Sequence, residues 1–171
     1  TEESDGYIYG YFDFPHESSG STDEKWFSLT YGNMHMAFVA IYAEEGYTAG
    51  PQYDWLVSDL STLASDPDVR WTFGAIHFTP WSLGNHDEDD ATDLRASLHP
   101  VFGSVPLDVV WGGHNHLYAR YAPIDGVTYV TAGGGGASLH EDLYTEWGGG
   151  TLVYAEGVHH YITVDVEEDV L

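Results

Sequence analysis

Three apolar runs, each closing on a turn or on histidine and glycine, constrain this chain most. They are "MHMAFVAIY" (34–42), "VRWTFGAIHF" (69–78) and "PLDVVWGG" (106–113). Each has the length of a strand, and their near-continuous apolarity predicts strands buried on both faces. Between the first two lies "GPQYDWLVSDLSTLASDP" (50–67). Trp55, Leu56, Leu60 and Leu63 recur there at helical spacing, and Pro67 is placed to end the helix. Between the second and third lies "DATDLRASLHPVF" (90–102), a short helix expected to stop before Pro100. Strands separated by helices pair in parallel by crossover connections.

The rest is strand-rich. "WFSLTYGNMHMAFVAIYAEE" (26–45) predicts two strands around a turn at Gly32-Asn33, after a polar loop at 16–25. "GVTYVTAGGGG", "GTLVYAEG" and "HHYITVDVEE" predict three more strands, the last with clear alternation. They would form a second sheet or an antiparallel edge. The expected fold is α/β, with mixed β-sheets flanked by helices, in one domain over 1–171 without internal repeats.

Composition narrows the partners. The chain has 28 acidic residues against 4 basic ones, a formal charge of −24, and Lys25 is its only lysine. Such a surface repels nucleic acid and anionic membranes. Its self-repulsion is relieved by salt, because the Debye length falls to about 3 Å at 1 M. This favours a high-salt, extracellular setting, with an ordinary acidic secreted protein as the plainer alternative. No apolar run approaches the roughly 18 residues that cross a membrane. The start lacks the pattern of a secretory signal, as would a mature secreted chain. With no cysteine, disulfide and thiolate chemistry are excluded. The acidic runs "DEDD" (87–90) and "EED" (167–169) are expected to be solvated surface.

Two of the parallel strands deliver histidines. "TFGAIHF" ends near His77, and "DVVWGGHNH" delivers His114 and His116. Ligands in open α/β sheets sit beyond the carboxyl ends of the strands, so these residues should converge. Gly112 and Gly113 allow a sharp turn and close backbone approach. Imidazole suits Zn, Fe, Mn or Ni. On spacing alone, metal binding and a hydrogen-bonded structural pair both remain open. Asp108 lies within its strand, so its side chain is expected to be directed elsewhere, leaving the histidines without a carboxylate.

In order, "WFSLTYGNMHMAFVAIY", "GPQYDWLVSDL", "IHFTPWSLGNH", "DVVWGGHNHLYAR" and "GVTYVTAGGGGA" resemble the C-terminal half of the calcineurin-like metallophosphoesterases, most closely the purple acid phosphatase branch. The resemblance runs from about Tyr11 to Val166. "GGHNHLYAR" is similar to that branch's Gly-His-x-His-x-Tyr-Glu-Arg signature. The resemblance implies half of a four-layer α/β/β/α sandwich and hydrolysis of phosphate esters by a dinuclear centre of two divalent or trivalent ions (Fe, Zn or Mn). By position, His77 and His114 would bind one metal and His116 the other. His86 matches a histidine that faces the substrate and can protonate the leaving group. Tyr118 and Arg120 match structural positions after the turn, and Gly133–Gly136 match the glycine-rich turn after the next strand.

The departures are as informative. The Asp-x-His, Gly-Asp and Gly-Asn-His-Asp/Glu motifs of the family's first half have no counterpart in the right place. "GNHD" (84–87) imitates the last but falls where the substrate-facing histidine belongs, and "GNMH" (32–35) is expected to be a turn entering a strand. Ala119 replaces the signature's glutamate. His159 and His160 are expected to begin a terminal strand, and His16, His99 and His140 to face solvent or cap local turns. Half of a phosphoesterase should expose an apolar surface and need an N-terminal half chain or self-association. The alternative is a non-catalytic structural or assembly module that retains a remnant metal site. A third possibility is a mononuclear hydrolase using the three histidines with water.

Overall fold

The computed structural model describes residues 13–15, 19–21, 24–40, 47–83, 88–105, 107–140 and 149–167. Strands β1 (Phe27–Tyr31) and β2 (Met34–Val39) precede helix α1 (Pro51–Leu63). Strand β3 (Trp71–Ile76), helix α2 (Glu88–Ser104) and strand β4 (Val109–Gly112) follow, then β5 (Tyr118–Tyr121), β6 (Thr128–Ala132) and β7 (Leu152–Glu156). They form one seven-stranded sheet in the order β1-β2-β3-β4-β6-β5-β7. The four central strands are parallel, with Met34 opposite Trp71, Phe73 opposite Val109 and Val109 opposite Thr128. Antiparallel pairs close both ends: β1 on β2, and β5 between β6 and β7. The strand-rich C-terminal part therefore forms an antiparallel edge, not a second sheet.

Both helices pack on one face of this mixed sheet. Leu56 and Leu60 of α1, and Leu94, Leu98 and Phe102 of α2, are spaced four residues apart and are wholly buried with Ala37, Val110 and Tyr129. The opposite face carries a smaller buried cluster, Phe73, Val109 and Val130, edged by partly exposed Met34, Met36, Trp71, Trp111 and Tyr118.

Several elements differ from their expected form. In β2, His35, Ala37 and Val39 are buried, while Met34, Met36 and Phe38 are only partly so; burial is one-sided, and the stretch to Tyr42 leaves the described residues. Helix α1 stops at Leu63, before Pro67, in tight turns bonding Ser65 N to Thr62 O and Asp66 N to Leu63 O. Helix α2 continues through Pro100 to Ser104. Pro100 forfeits one bond, to the carbonyl of Ala96, which is exposed and can turn to water. Residues 159–166 form no strand. Their alternation instead buries Ile162 and Val166 against the Phe73 cluster while Tyr161 stays 88% exposed. Strand β5 was not expected.

Candidate metal centre

Strands β3 and β4 end side by side, and the chain leaves both at the same edge of the sheet. The Gly113 N–H donates to His77 O at 2.9 Å and ties the two exits together. Gly112 is needed for that closeness, because a Cβ there would lie 2.5 Å from Thr79 Cγ2. Beyond it, Asn115 N donates to Gly113 O at 2.7 Å and Leu117 N to Asn115 O at 2.8 Å. These successive tight turns place His114 at φ 62°, a left-handed conformation that costs a non-glycine residue roughly 1–2 kcal/mol. The glycine-rich turn after β6 packs on this one: a Cβ on Gly133 would come within 2.0 Å of Asn115 O.

The turn brings His77 and His114 into contact across 37 residues, with Nε2 of the first 3.0 Å from Nδ1 of the second. Their rings meet edge-on with centroids 5.0 Å apart, and Phe78 backs His114 at 5.2 Å. His116 donates from Nδ1 to the carbonyl of Ser138 at 2.7 Å, which leaves its Nε2 as the lone-pair nitrogen of the neutral ring. The three histidines line one open cleft of about 700 Å³ with Gly113, Ala132, Gly133 and the turn through Ala137. Burial holds the His77 pKa below the usual imidazole value and favours its neutral, ligating form.

Among the described residues, no three His, Asp or Glu side chains converge on one point. The donor set nevertheless fits a metal in chemical type. Two imidazole nitrogens 3.0 Å apart have a spacing that two bonds of about 2.0–2.1 Å to one ion can span. Among the described residues, no carboxylate lines the cleft. Asp108 sits at the far end of β4, where its Oδ2 accepts from Thr72 N at 2.7 Å. His86, His16 and the "GNHD" letters, with them Asp87 of "DEDD", lie outside the described residues, while 88–90 open helix α2.

Other histidines have definite places. His140 lies beside His116, with ring centroids 5.0 Å apart and its N–H donating to His116 O. That makes it a neighbour of the cleft rather than a distant cap. His99 is partly buried between the Tyr129 hydroxyl (2.7 Å) and Asp125 Oδ2 (3.1 Å), against Trp81. Burial and the Asp125 carboxylate push the Tyr129 pKa well above the ordinary phenol value, so it stays a neutral donor. His35 of "GNMH" is a buried link between Thr30 and Asp59 at the opposite end of the sheet. His159 donates from Nδ1 to Gly134 O at 3.2 Å and pins the glycine-rich turn.

No protein-family model matches the chain. A purple acid phosphatase of Glycine max is 31% identical over 144 residues, covering 81% of this chain and 30% of that protein. The Fe(3+)-Zn(2+) purple acid phosphatase 12 of Arabidopsis thaliana is 28% identical over 121 residues, covering 70% and 25% respectively. Among solved structures, the purple acid phosphatase PPD1 from yellow lupin (Lupinus luteus) seeds has the same fold, with a TM-score of 0.67 at 24% identity over 85% of this chain and 28% of that one. The chain thus spans about a quarter to a third of the length of the curated relatives it matches. With the ordered motifs, the fold and these relatives agreeing, the chain belongs to the purple acid phosphatase branch of the calcineurin-like metallophosphoesterases and corresponds to its C-terminal part.

Proposed function

We propose that this chain supplies the histidine side of a metal-dependent phosphate-ester hydrolase. His77 and His114 would hold one ion and His116 a second. The contact between His77 Nε2 and His114 Nδ1, at the ends of adjoining parallel strands, carries the proposal. The name of the Arabidopsis relative favours iron and zinc. When bound, the ions would polarise the phosphoryl oxygens and stabilise charge that develops on them. His77 contributes a ring kept neutral by burial. The Ser138 carbonyl fixes the tautomer of His116 by accepting from Nδ1, which raises the basicity of the ligating nitrogen. His86 would act as general acid, donating a proton to the leaving alcohol near neutral pH. The carboxylate ligands would come from an N-terminal half, on a longer polypeptide or a separate chain, resting on the open face of the sheet.

The test is metal content and hydrolysis of a phosphate monoester, measured together on the completed assembly. His114→Ala should lose one metal and at least about 10²-fold in rate. His86→Ala should lower kcat by about 10²–10⁴ with metal content intact. Full activity of metal-saturated His114→Ala would overturn the assignment. A chain that keeps one metal or none in every assembly, without activity, would establish the non-catalytic module instead. The charge of −24 supports a high-salt setting, tested by a thermal midpoint that rises steadily between 0.1 and about 2 M NaCl.

A further inference from the structure

The turn that presents the histidines alternates. His114 and His116 line the cleft, and Asn115 between them is fully buried. Its amide enters a closed polar cluster in which Thr79, Ser82, Asn115 and Thr131 are each 0% exposed. Asn115 Nδ2 donates to Ser82 Oγ at 2.8 Å. Ser82 Oγ lies 3.1 Å from Thr131 Oγ1, which lies 2.9 Å from Thr79 Oγ1. Thr79 Oγ1 donates to the carbonyl of Trp81 at 2.9 Å.

Proton counting gives this cluster a direction. Each hydroxyl owns one proton, and a carbonyl can only accept. The Thr79 proton is committed to Trp81 O, so Thr79 accepts from Thr131, Thr131 from Ser82, and Ser82 from Asn115. The contact of Ser82 Oγ to Leu83 O, at 3.4 Å, is too long to compete. The chain of bonds therefore starts at an amide N–H, which only a residue such as asparagine supplies at position 115. Asn115 Oδ1 is buried with no hydrogen-bond partner among the described residues, so the amide orientation is set by the Nδ2 contact.

The cluster joins the loop after β3, strand β6 and the histidine turn. Asn115 is also the pivot of that turn, since its N–H donates to Gly113 O across left-handed His114 and its C=O accepts from Leu117 N across His116. A buried polar network holds one arrangement where apolar packing would tolerate several. We propose that Asn115, anchored through Ser82, Thr131 and Thr79, is a positioning residue that sets the orientation in which His114 and His116 meet a metal ion. The inference rests on the metal-binding role proposed above for these histidines.

The test is a Co²⁺ titration of the full 171-residue chain followed by visible absorption, with His114→Ala subtracted to correct for Co²⁺ on surface carboxylates. Asn115→Ala should weaken binding at least about tenfold and change the band shape at saturation. A loss of global stability alone would leave the saturated spectrum unchanged. Ser82→Ala keeps every backbone bond of the turn and should shift both readouts the same way by less. If far-UV circular dichroism shows Asn115→Ala unfolded, Ser82→Ala decides. Unchanged affinity and spectrum in the folded variants would overturn the positioning role and leave the histidines as ligands. No Co²⁺ binding by the unsubstituted chain would overturn both.

Discussion

The two faces of the sheet carry apolar side chains of similar size but differ in what covers them. On the helix side, Leu56, Leu60, Leu94, Leu98 and Phe102 are at most 1% exposed. On the other, Phe73, Val109 and Val130 are buried at the centre and Phe27 against Phe38 at the β1 edge, while Met34, Met36, Trp71, Trp111 and Tyr118 stay partly open although Ile162 and Val166 lie over that centre. Toward β7 the same side shows Tyr154, beside Tyr118, at 51%. A central parallel strand that is apolar on both faces belongs in a sheet covered on both. One face therefore supplies the stability of this chain, and the other is where the proposed partner would rest.

Truncation on each face tests that division. Phe102→Ala on the helix side should cost about 3–5 kcal/mol, read from the urea midpoint at constant slope. Trp111→Ser on the open face should cost about 1 kcal/mol, since the indole is only partly buried and can meet water. The same substitution should lower self-association in sedimentation velocity, or weaken binding of an N-terminal half. Equal destabilisation at the two positions would break the comparison. An unchanged association state in Trp111→Ser would move the docking surface elsewhere.

The contrast between the faces also explains what could be read from the sequence. The runs at 69–78 and 106–113, with leucines at helical spacing around them, announce the parallel core because periodicity and burial coincide there. The alternation at 159–168 announces one-sided burial, which is real for Ile162 and Val166, but ladder pairing does not follow from it. Strand β5 is four residues long and includes exposed Arg120, so it has no pattern of its own; it exists because β6 and β7 offer edges on either side. The convergence of His77 with His114 was legible, since both leave parallel strands at the same end. His140 and Asn115 were not. The first reaches the cleft only through the return of the glycine-rich turn, and the second matters through hydroxyls from two other segments, the loop after β3 and strand β6. Neither relation has a sequence period.

The smallest effect sharpens the comparison most. His77 follows Trp71, Phe73 and Ala75 in alternation, at the rim of the open face, and its ring is largely exposed although crowded by His114. Its folded-state pKa is lowered by burial, while in the unfolded chain it titrates near about 6.5. Above that pH both states hold a neutral ring, and the contribution to stability is fully present. As pH falls below it, the unfolded chain takes the proton first, and stability declines until the folded ring protonates too. Solvent on one side screens the effect, so the loss should be only a fraction of the roughly 1.4 kcal/mol that a full unit represents. His77→Gln should therefore flatten the dependence of the urea midpoint on pH slightly below 6.5 and leave it unchanged above. If a partner covers the open face, His77 becomes more buried, its pKa falls further, and the same comparison on the assembly should show a steeper dependence. An identical dependence in the isolated chain and the assembly would mean that the partner does not reach the histidine rim.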